Sequence, residues 1–167
     1  MRQQVGLLDI SGFARYEITG RDAPVWLNRI LAGRLPGPGR IRLSPMLAPD
    51  GRLKGDVTVF NWGDGSWWIM GSYYLRQWHM RWFENHMDST VDGDLAVRDI
   101  SDTIVGFSLS GPNSRDVIAA LSDQNVSNVA IPFMGCMSIK VGPIQSKVGR
   151  LSVAGELGYE INCHATE

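Results

Sequence analysis

The sequence predicts an α+β fold in which antiparallel sheets are flanked by a few helices. Short apolar segments follow one another across glycine and proline turns, as at Pro49-Asp50-Gly51, which joins residues 41–48 to residues 53–62. Helical patterns occur at only three places, so strands and helices do not alternate as they do in a parallel sheet. The chain has 167 residues, 44% hydrophobic and 20% charged, which is typical of a globular protein. We therefore expect one functional region spanning residues 1–167.

The first half of the chain is predicted to form a meander of strands interrupted by two helices. Residues 21–31 should form the first helix, with Asp22 as its N-cap and Pro24 in its first turn. Residues 72–87 should form the second, with Ser72 as its cap and a packing face made by its aromatic side chains, Tyr74, Trp78, Trp82 and Phe83. The predicted strands are residues 5–10, 13–19, 41–48, 53–62 and 66–71.

The second half is predicted to contain one more helix and further strands. Ser110-Gly111-Pro112 should end a strand and begin a helix that runs to about Leu121. The predicted strands are residues 95–100, 103–109, 131–133, 137–141, 147–153 and 159–163.

Composition argues against several classes of function. The formal net charge is −1 and the arginines are scattered, which disfavours binding to nucleic acid. No apolar run approaches the roughly 18 residues of a membrane span. Cys136 and Cys163 have no CxxC spacing, which predicts neither disulfides nor a zinc site and favours a reducing, cytoplasmic location. His79 and His86 are about 10 Å apart along one predicted helix, so no metal site is expected there.

Two carboxylates, Asp56 and Glu160, each follow a glycine-rich turn and enter a strand. The side chains of both fit an ordinary solvated strand face or the wall of a pocket, and the pattern alone leaves both interpretations open. In a pocket, Asp56 would stabilise a developing cation or position a proton, with Phe60 as an apolar neighbour. The two adjacent acceptor oxygens of Glu160 would match two adjacent donors, such as those of a pterin ring. Asp56 and Glu160 lie far apart in sequence, and we predict that the fold brings both carboxylates to one polar ligand.

Five segments, in order, resemble the motifs of one family. They are Gly6-Leu7-Leu8-Asp9-Ile10-Ser11-Gly12-Phe13-Ala14, Pro45-Met46-Leu47-Ala48-Pro49-Asp50-Gly51-Arg52-Leu53, the segment from Gly51 to Val59, Ser110-Gly111-Pro112-Asn113-Ser114-Arg115, and Gly155-Glu156-Leu157-Gly158-Tyr159-Glu160-Ile161. The family is the aminomethyltransferases, which comprise the T-protein of the glycine cleavage system and the folate-binding domains of dimethylglycine and sarcosine dehydrogenases. Leu43 and Gly71 resemble the dehydrogenase branch more than the T-proteins.

The resemblance implies an enzyme that binds tetrahydrofolate and transfers a one-carbon unit to it from a small amine donor. Asp56 falls on the family's catalytic aspartate, which stabilises the iminium, and Glu160 falls on the glutamate that anchors the pterin. The resemblance also implies cofactor contacts from Met46, Gly71 and Tyr159.

Members of the family are longer and carry a C-terminal barrel that supplies more of the folate site. The resemblance therefore implies that this chain corresponds to the part before that barrel, and a partner chain is one of the ways in which the site could be completed. Two alternatives stay open. One is a non-catalytic folate-binding module of the iron–sulfur maturation type, although Cys136 does not match the K-G-C-x-x-G-Q-E motif of those proteins. The other is a fragment that functions only with a partner.

Overall fold

A computed structural model describes residues 2–167 and divides the chain into two compact units. The central unit is Gly12–Ser101, and the terminal unit combines Met1–Ser11 with Asp102–Glu167. Within the described residues the strands are β1 (Gly6–Asp9), β2 (Phe13–Thr19), β3 (Arg40–Leu47), β4 (Leu53–Asn61), β5 (Trp67–Ser72), β6 (Ala96–Asp99), β7 (Ile104–Ser110), β8 (Gly135–Val141), β9 (Ile144–Arg150) and β10 (Gly158–His164). The α-helices are α1 (Ala23–Ile30), α2 (Arg76–Asn85) and α3 (Ser114–Leu121). One functional region over residues 1–167 stays a prediction.

The central unit is an antiparallel sheet with the strand order β3-β4-β5-β2-β6. Alternating apolar residues on its strands pack against α1 and α2, because a strand places every second side chain on the same face. The buried members of this core are Ala14, Tyr16, Ile18, Ala23, Trp26, Leu27, Ile30, Leu31, Met46, Val57, Val59, Trp67, Ile69 and Phe83.

The turn between β3 and β4 sets the register of the strand that carries Asp56. The Ala48 amide donates to the Arg52 carbonyl at 2.8 Å, and Gly51 takes a φ of 82°, which a glycine adopts without steric cost. The Asp50 side chain accepts a hydrogen bond from the Arg52 amide at 3.1 Å. As a result Asp56 lies opposite Pro45 in the β3–β4 pair.

The terminal unit is a second antiparallel arrangement, in the order β1-β7-β10-β9-β8. Helix α3 lies over one face of these strands, where the apolar side chains alternate with polar ones that face the other way. The buried members of its core are Leu109, Ile118, Val126, Ile131, Ile139, Val148 and Tyr159.

The predicted α+β class with antiparallel sheets and few helices is confirmed, and several local predictions are corrected. Helix α2 begins at Arg76, after a 3₁₀ turn at Tyr73–Leu75, and Ser72 makes no side-chain capping bond. The predicted aromatic packing face is only partly a packing face. Phe83 is fully buried, but Tyr74 lies in the 3₁₀ turn and is 99% exposed, and Trp78 is 41% exposed.

Of two further local predictions, the first is confirmed in position but not in its capping bond, and the second was wrong. Asp22 stands at the N-cap of α1, but its carboxylate accepts the Asp94 amide at 2.8 Å instead of an amide of the helix. Residues 131–133 form no strand. The Gly135 amide bonds the Pro132 carbonyl at 2.7 Å and Met134 has a φ of 57°, so the chain turns there.

Among residues 2–167, no helix combines the length and the apolar composition that crossing a membrane requires.

Candidate functional site

Asp56 lies near the start of β4 with its side chain exposed. Its neighbours Gly55 and Val57 face the core of the central unit, so the strand alternation turns the Asp56 carboxylate outward. Within residues 2–167 this carboxylate makes neither a hydrogen bond nor an ion pair. Phe60, predicted as its apolar neighbour, is fully buried and stacks on Trp62 with ring centroids 5.2 Å apart. The catalytic role of Asp56 stays a prediction.

Beneath Asp56, two glycines on neighbouring strands make room for one buried imidazole. A methyl group added at Gly55 would lie 2.8 Å from His79 Nε2, and one added at Gly71 would lie 3.1 Å from His79 Cε1. Met46 pairs with Gly55 across β3 and β4, and its terminal methyl occupies the space that a Gly55 side chain would need. The Met46 methyl and His79 Nε2 therefore border the same space at Gly55, the residue before Asp56, and Gly71 borders the His79 ring from the neighbouring strand.

The His79 ring is fully buried, and only one of its two nitrogens has a hydrogen-bond partner among the described residues. Nδ1 lies 3.2 Å from the Tyr16 hydroxyl, whereas Nε2 has no hydrogen-bond partner within the described part of the chain. Burial lowers the pKa of His79 below its ordinary value, because a charged imidazolium would lose its hydration there. The ring is therefore neutral at physiological pH.

The charges nearest this ring lie on α2 and at the end of β6. Tyr16 also approaches the Arg76 carbonyl at 3.3 Å, and the Arg76 guanidinium pairs with Asp99. Burial raises the pKa of Tyr16, and the negative charge of Asp99 adds to that effect while Arg76 opposes it. Burial pushes the pKa of Asp99 upward, but hydrogen bonds from Ser101 and Arg76 outweigh it, so that pKa lies below its ordinary value. The Arg76–Asp99 pair is thus ionised, whereas His79 and Tyr16 are uncharged.

We expect Gly55→Ala to destabilise the chain by about 1–3 kcal/mol, because the new methyl overlaps the packed Met46 and His79 side chains. Chemical denaturation measures the change. Gly12→Ala is the matched control, since nothing lies within 4 Å of an added methyl there and Gly12 has no positive φ. Equal stabilities of the two variants would show that His79 is not held by Gly55.

We expect the stability to fall as the pH drops below about 6.5, the ordinary pKa of histidine. Below that value His79 is protonated in the unfolded chain, but it stays neutral in the folded chain because burial lowers its pKa there. The slope contributed by this residue reaches about 1.4 kcal/mol per pH unit until the folded-state pKa is reached. Denaturation between pH 8 and 5 should show a smaller loss in His79→Gln than in the wild type. His164→Gln, at an exposed position, is the control, and identical slopes in His79→Gln and wild type would contradict the prediction.

Glu160 lies in β10 of the terminal unit and is half-buried. Its direct neighbours are Ser108 on β7 and Gly149 on β9. A glycine on one side leaves space beside the carboxylate, and a serine on the other side offers a hydroxyl on the same face. Ser108 Oγ lies 3.3 Å from Ser110 Oγ, so a row of small polar groups runs along this face.

Tyr159 points to the opposite face of β10 from Glu160. Its ring is fully buried in the core under α3, and its hydroxyl accepts a hydrogen bond from Arg115 Nε at 3.0 Å. Its predicted contact with the cofactor stays a prediction, as do the contacts of Met46 and Gly71. Asp56 belongs to the central unit and Glu160 to the terminal unit, and their convergence on one ligand also stays a prediction.

The sequence pattern did not place His79 in the candidate site, because a lone histidine on a helix is ordinarily a surface or packing residue. A usable signal was present. Gly55 and Gly71 interrupt buried strand faces, and such a gap predicts a bulky side chain from another element. The helical pattern alone did not show whether His79 or His86 would fill this gap.

The structure is an antiparallel α+β chain that presents single carboxylates on glycine-flanked strands, which suits a small molecule rich in hydrogen-bond donors or positive charge. The chain belongs to the family described as the GCVT N-terminal domain, whose model matches residues 1–167. The resemblance to aminomethyltransferases is thereby confirmed.

Two curated relatives illustrate the range of the family. Dimethylglycine dehydrogenase, a mitochondrial protein of Rattus norvegicus, is 30% identical over 161 residues, which cover 95% of this chain and 18% of the relative. An aminomethyltransferase of Bacillus licheniformis is 27% identical over 165 residues, covering 98% of this chain and 44% of the relative. The chain therefore spans less than half the length of either relative.

Among solved structures, the glycine cleavage system aminomethyltransferase T from Bartonella henselae has the same fold. It superimposes with a TM-score of 0.80 at 20% sequence identity, covering 97% of this chain and 42% of that one.

Proposed function

We propose that this chain forms a tetrahydrofolate-binding part of a one-carbon transferase that accepts its carbon unit from a small amine donor. The observation that carries the proposal is the family match over residues 1–167 together with relatives named as aminomethyltransferase and dimethylglycine dehydrogenase. Because the chain spans 44% and 18% of those relatives, the activity of each whole protein is a proposal here.

Glu160 is the residue that we propose to anchor the pterin. A pterin presents two adjacent donors, a ring N–H and an amino group, and a carboxylate accepts both in parallel. Glu160 fits this task because Gly149 on the neighbouring strand leaves space beside it and Ser108 adds a polar group on the same face.

Asp56 is the residue that we propose to stabilise the cationic donor. Bound tetrahydrofolate supplies the nucleophilic nitrogen that receives the one-carbon unit. Asp56 would hold the positively charged iminium and orient it toward that nitrogen. Its carboxylate is turned outward by β4, so it is presented to a ligand rather than committed to the core.

The exposure of Asp56 favours a second candidate, a folate-binding module that does not catalyse transfer. A carboxylate surrounded by water stabilises a neighbouring cation far less than one in a dry pocket. For a catalytic role of Asp56, we therefore propose that a partner covers this residue. The partner is either another chain or a further part of a longer protein. The proposal also retains the predicted cytoplasmic location, which suits Cys136 and Cys163 because neither forms a disulfide.

Calorimetric titration of the chain with tetrahydrofolate tests this proposal. Saturable binding with one ligand per chain is the expected result. Heat no greater than that of dilution would remove the folate-binding function from this part of the protein.

A further inference from the structure

Two arginines of the terminal unit share one neutral acceptor. Arg115 Nη2 donates to Asn128 Oδ1 at 2.6 Å, and Arg150 Nη1 donates to the same oxygen at 2.7 Å. Arg115 Nε also bonds the Tyr159 hydroxyl, and Arg150 Nη1 also bonds the Ile131 carbonyl at 3.1 Å. Within residues 2–167 neither guanidinium has a carboxylate partner.

This arrangement leaves two positive charges side by side without compensation. Both arginines are half-buried, so water screens them less than it screens an exposed pair. The Asn128 oxygen carries only a partial negative charge, and Arg150 Nε is buried without any acceptor among the described residues. Like charges that converge on one atom repel each other, and a bridging anion would convert that repulsion into attraction.

A concave space of about 320 Å³ lies beside Arg150, with a volume suited to a small ligand. Its walls include the Ser152 hydroxyl, the glycine turn at Gly155 and the half-exposed ring of Phe133. Glu156 also lines it, and its carboxylate is engaged at 3.7 Å by the guanidinium of Arg2.

We propose that the guanidinium groups of Arg150 and Arg115 bind an oxyanion, the carboxylate or phosphate group of a small ligand, at the edge of this pocket, which Arg150 lines and Arg115 does not. Both guanidinium groups donate a hydrogen bond to Asn128 Oδ1, so they are close enough together for a single oxyanion to contact both. The arginines contact Tyr159 and Asn128 on the helix side of the strands, whereas Glu160 faces the other side of β10. The site is therefore separate from the proposed pterin contact and does not depend on it.

Thermal unfolding without folate tests the proposal, with sodium phosphate in one arm, sodium succinate in another, and sodium chloride at the same ionic strength as reference. We expect phosphate, succinate or both to raise the wild-type Tm by about 3 °C above the chloride value. A rise with phosphate alone that Asn128→Asp abolishes identifies a phosphate ligand, and a rise with succinate alone that Asn128→Asp abolishes identifies a carboxylate ligand.

Asn128→Asp provides the decisive comparison, because it places a carboxylate at the atom that both arginines already contact. This exposed, isosteric change should raise the Tm in chloride and weaken anion binding at least about tenfold. Arg115→Gln should also weaken binding without supplying a charge, and Arg52→Gln, in the exposed β3–β4 turn, is the control that should keep the wild-type shift.

Phosphate also stabilises proteins generally by exclusion from their surfaces, so only the difference between wild type and Asn128→Asp counts as site binding. An equal anion-dependent shift in wild type, Asn128→Asp and Arg115→Gln would overturn the proposal. So would the absence of any shift in the wild type with either anion.

Discussion

Replacing Glu160 with alanine is expected to weaken tetrahydrofolate binding more than tenfold. The change removes both acceptor oxygens that we assign to the pterin donors, and a hydrogen bond to a charged group contributes about 1.5–3 kcal/mol. Since about 1.4 kcal/mol corresponds to tenfold in affinity, even one such bond accounts for the expected loss. Isothermal titration calorimetry of wild type and variant measures it.

Two further variants separate binding from folding in this experiment. Glu160→Gln keeps the size of the side chain but replaces one acceptor by a donor, so it should bind folate with an affinity between those of wild type and alanine variant. Glu84→Gln, at an exposed position of α2, makes the same chemical change elsewhere and should bind like the wild type. Equal folate affinity in wild type and Glu160→Ala would remove Glu160 from the binding site.

Asp56→Asn is expected to retain tetrahydrofolate affinity within about twofold and to lower the transfer rate by about 10²–10³-fold, the typical cost of losing one electrostatic stabiliser. Asparagine has the same shape but no charge, so it cannot stabilise the cationic donor. Because residue 56 points outward, the variant should fold as stably as the wild type, and the melting temperature checks this.

The transfer measurement follows the formation of 5,10-methylenetetrahydrofolate from the preformed iminium of a small amine, which is released as the free amine. A wild type that binds folate but transfers nothing, alone or with a partner, would favour the non-catalytic module. A variant that transfers at the wild-type rate would exclude Asp56 as the catalytic carboxylate.

Much of the fold was predictable because its signals are local. The turn at Gly51 and the alternation along residues 53–61 define a hairpin whatever the rest of the chain does. The predictions that failed also came from local patterns, but at those positions tertiary contacts override the local preference. Aspartate is a favourable capping residue, yet the carboxylate of Asp22 accepts a hydrogen bond from the amide of Asp94, a residue far along the chain.

The candidate site was predictable in part. The chemistry of Asp56 and Glu160 follows from residue type and strand position, and the resemblance assigned their roles. The setting of Met46 and Gly71 did not follow, because the gaps at Gly55 and Gly71 are occupied by His79, which arrives from a helix after β5. The Arg115–Asn128–Arg150 cluster was missed for the same reason, since its members come from three separate segments.

From residue order alone came the α+β class, the antiparallel hairpins, the family and two carboxylates on strands, because periodicity and turn chemistry act between neighbours in the chain. Tertiary structure decided which of those side chains are buried and which charges lack a counterion. Burial and electrostatic pairing depend on distances between residues far apart in sequence, such as Tyr16 and His79 or Arg115 and Arg150, and only the packed chain brings them together.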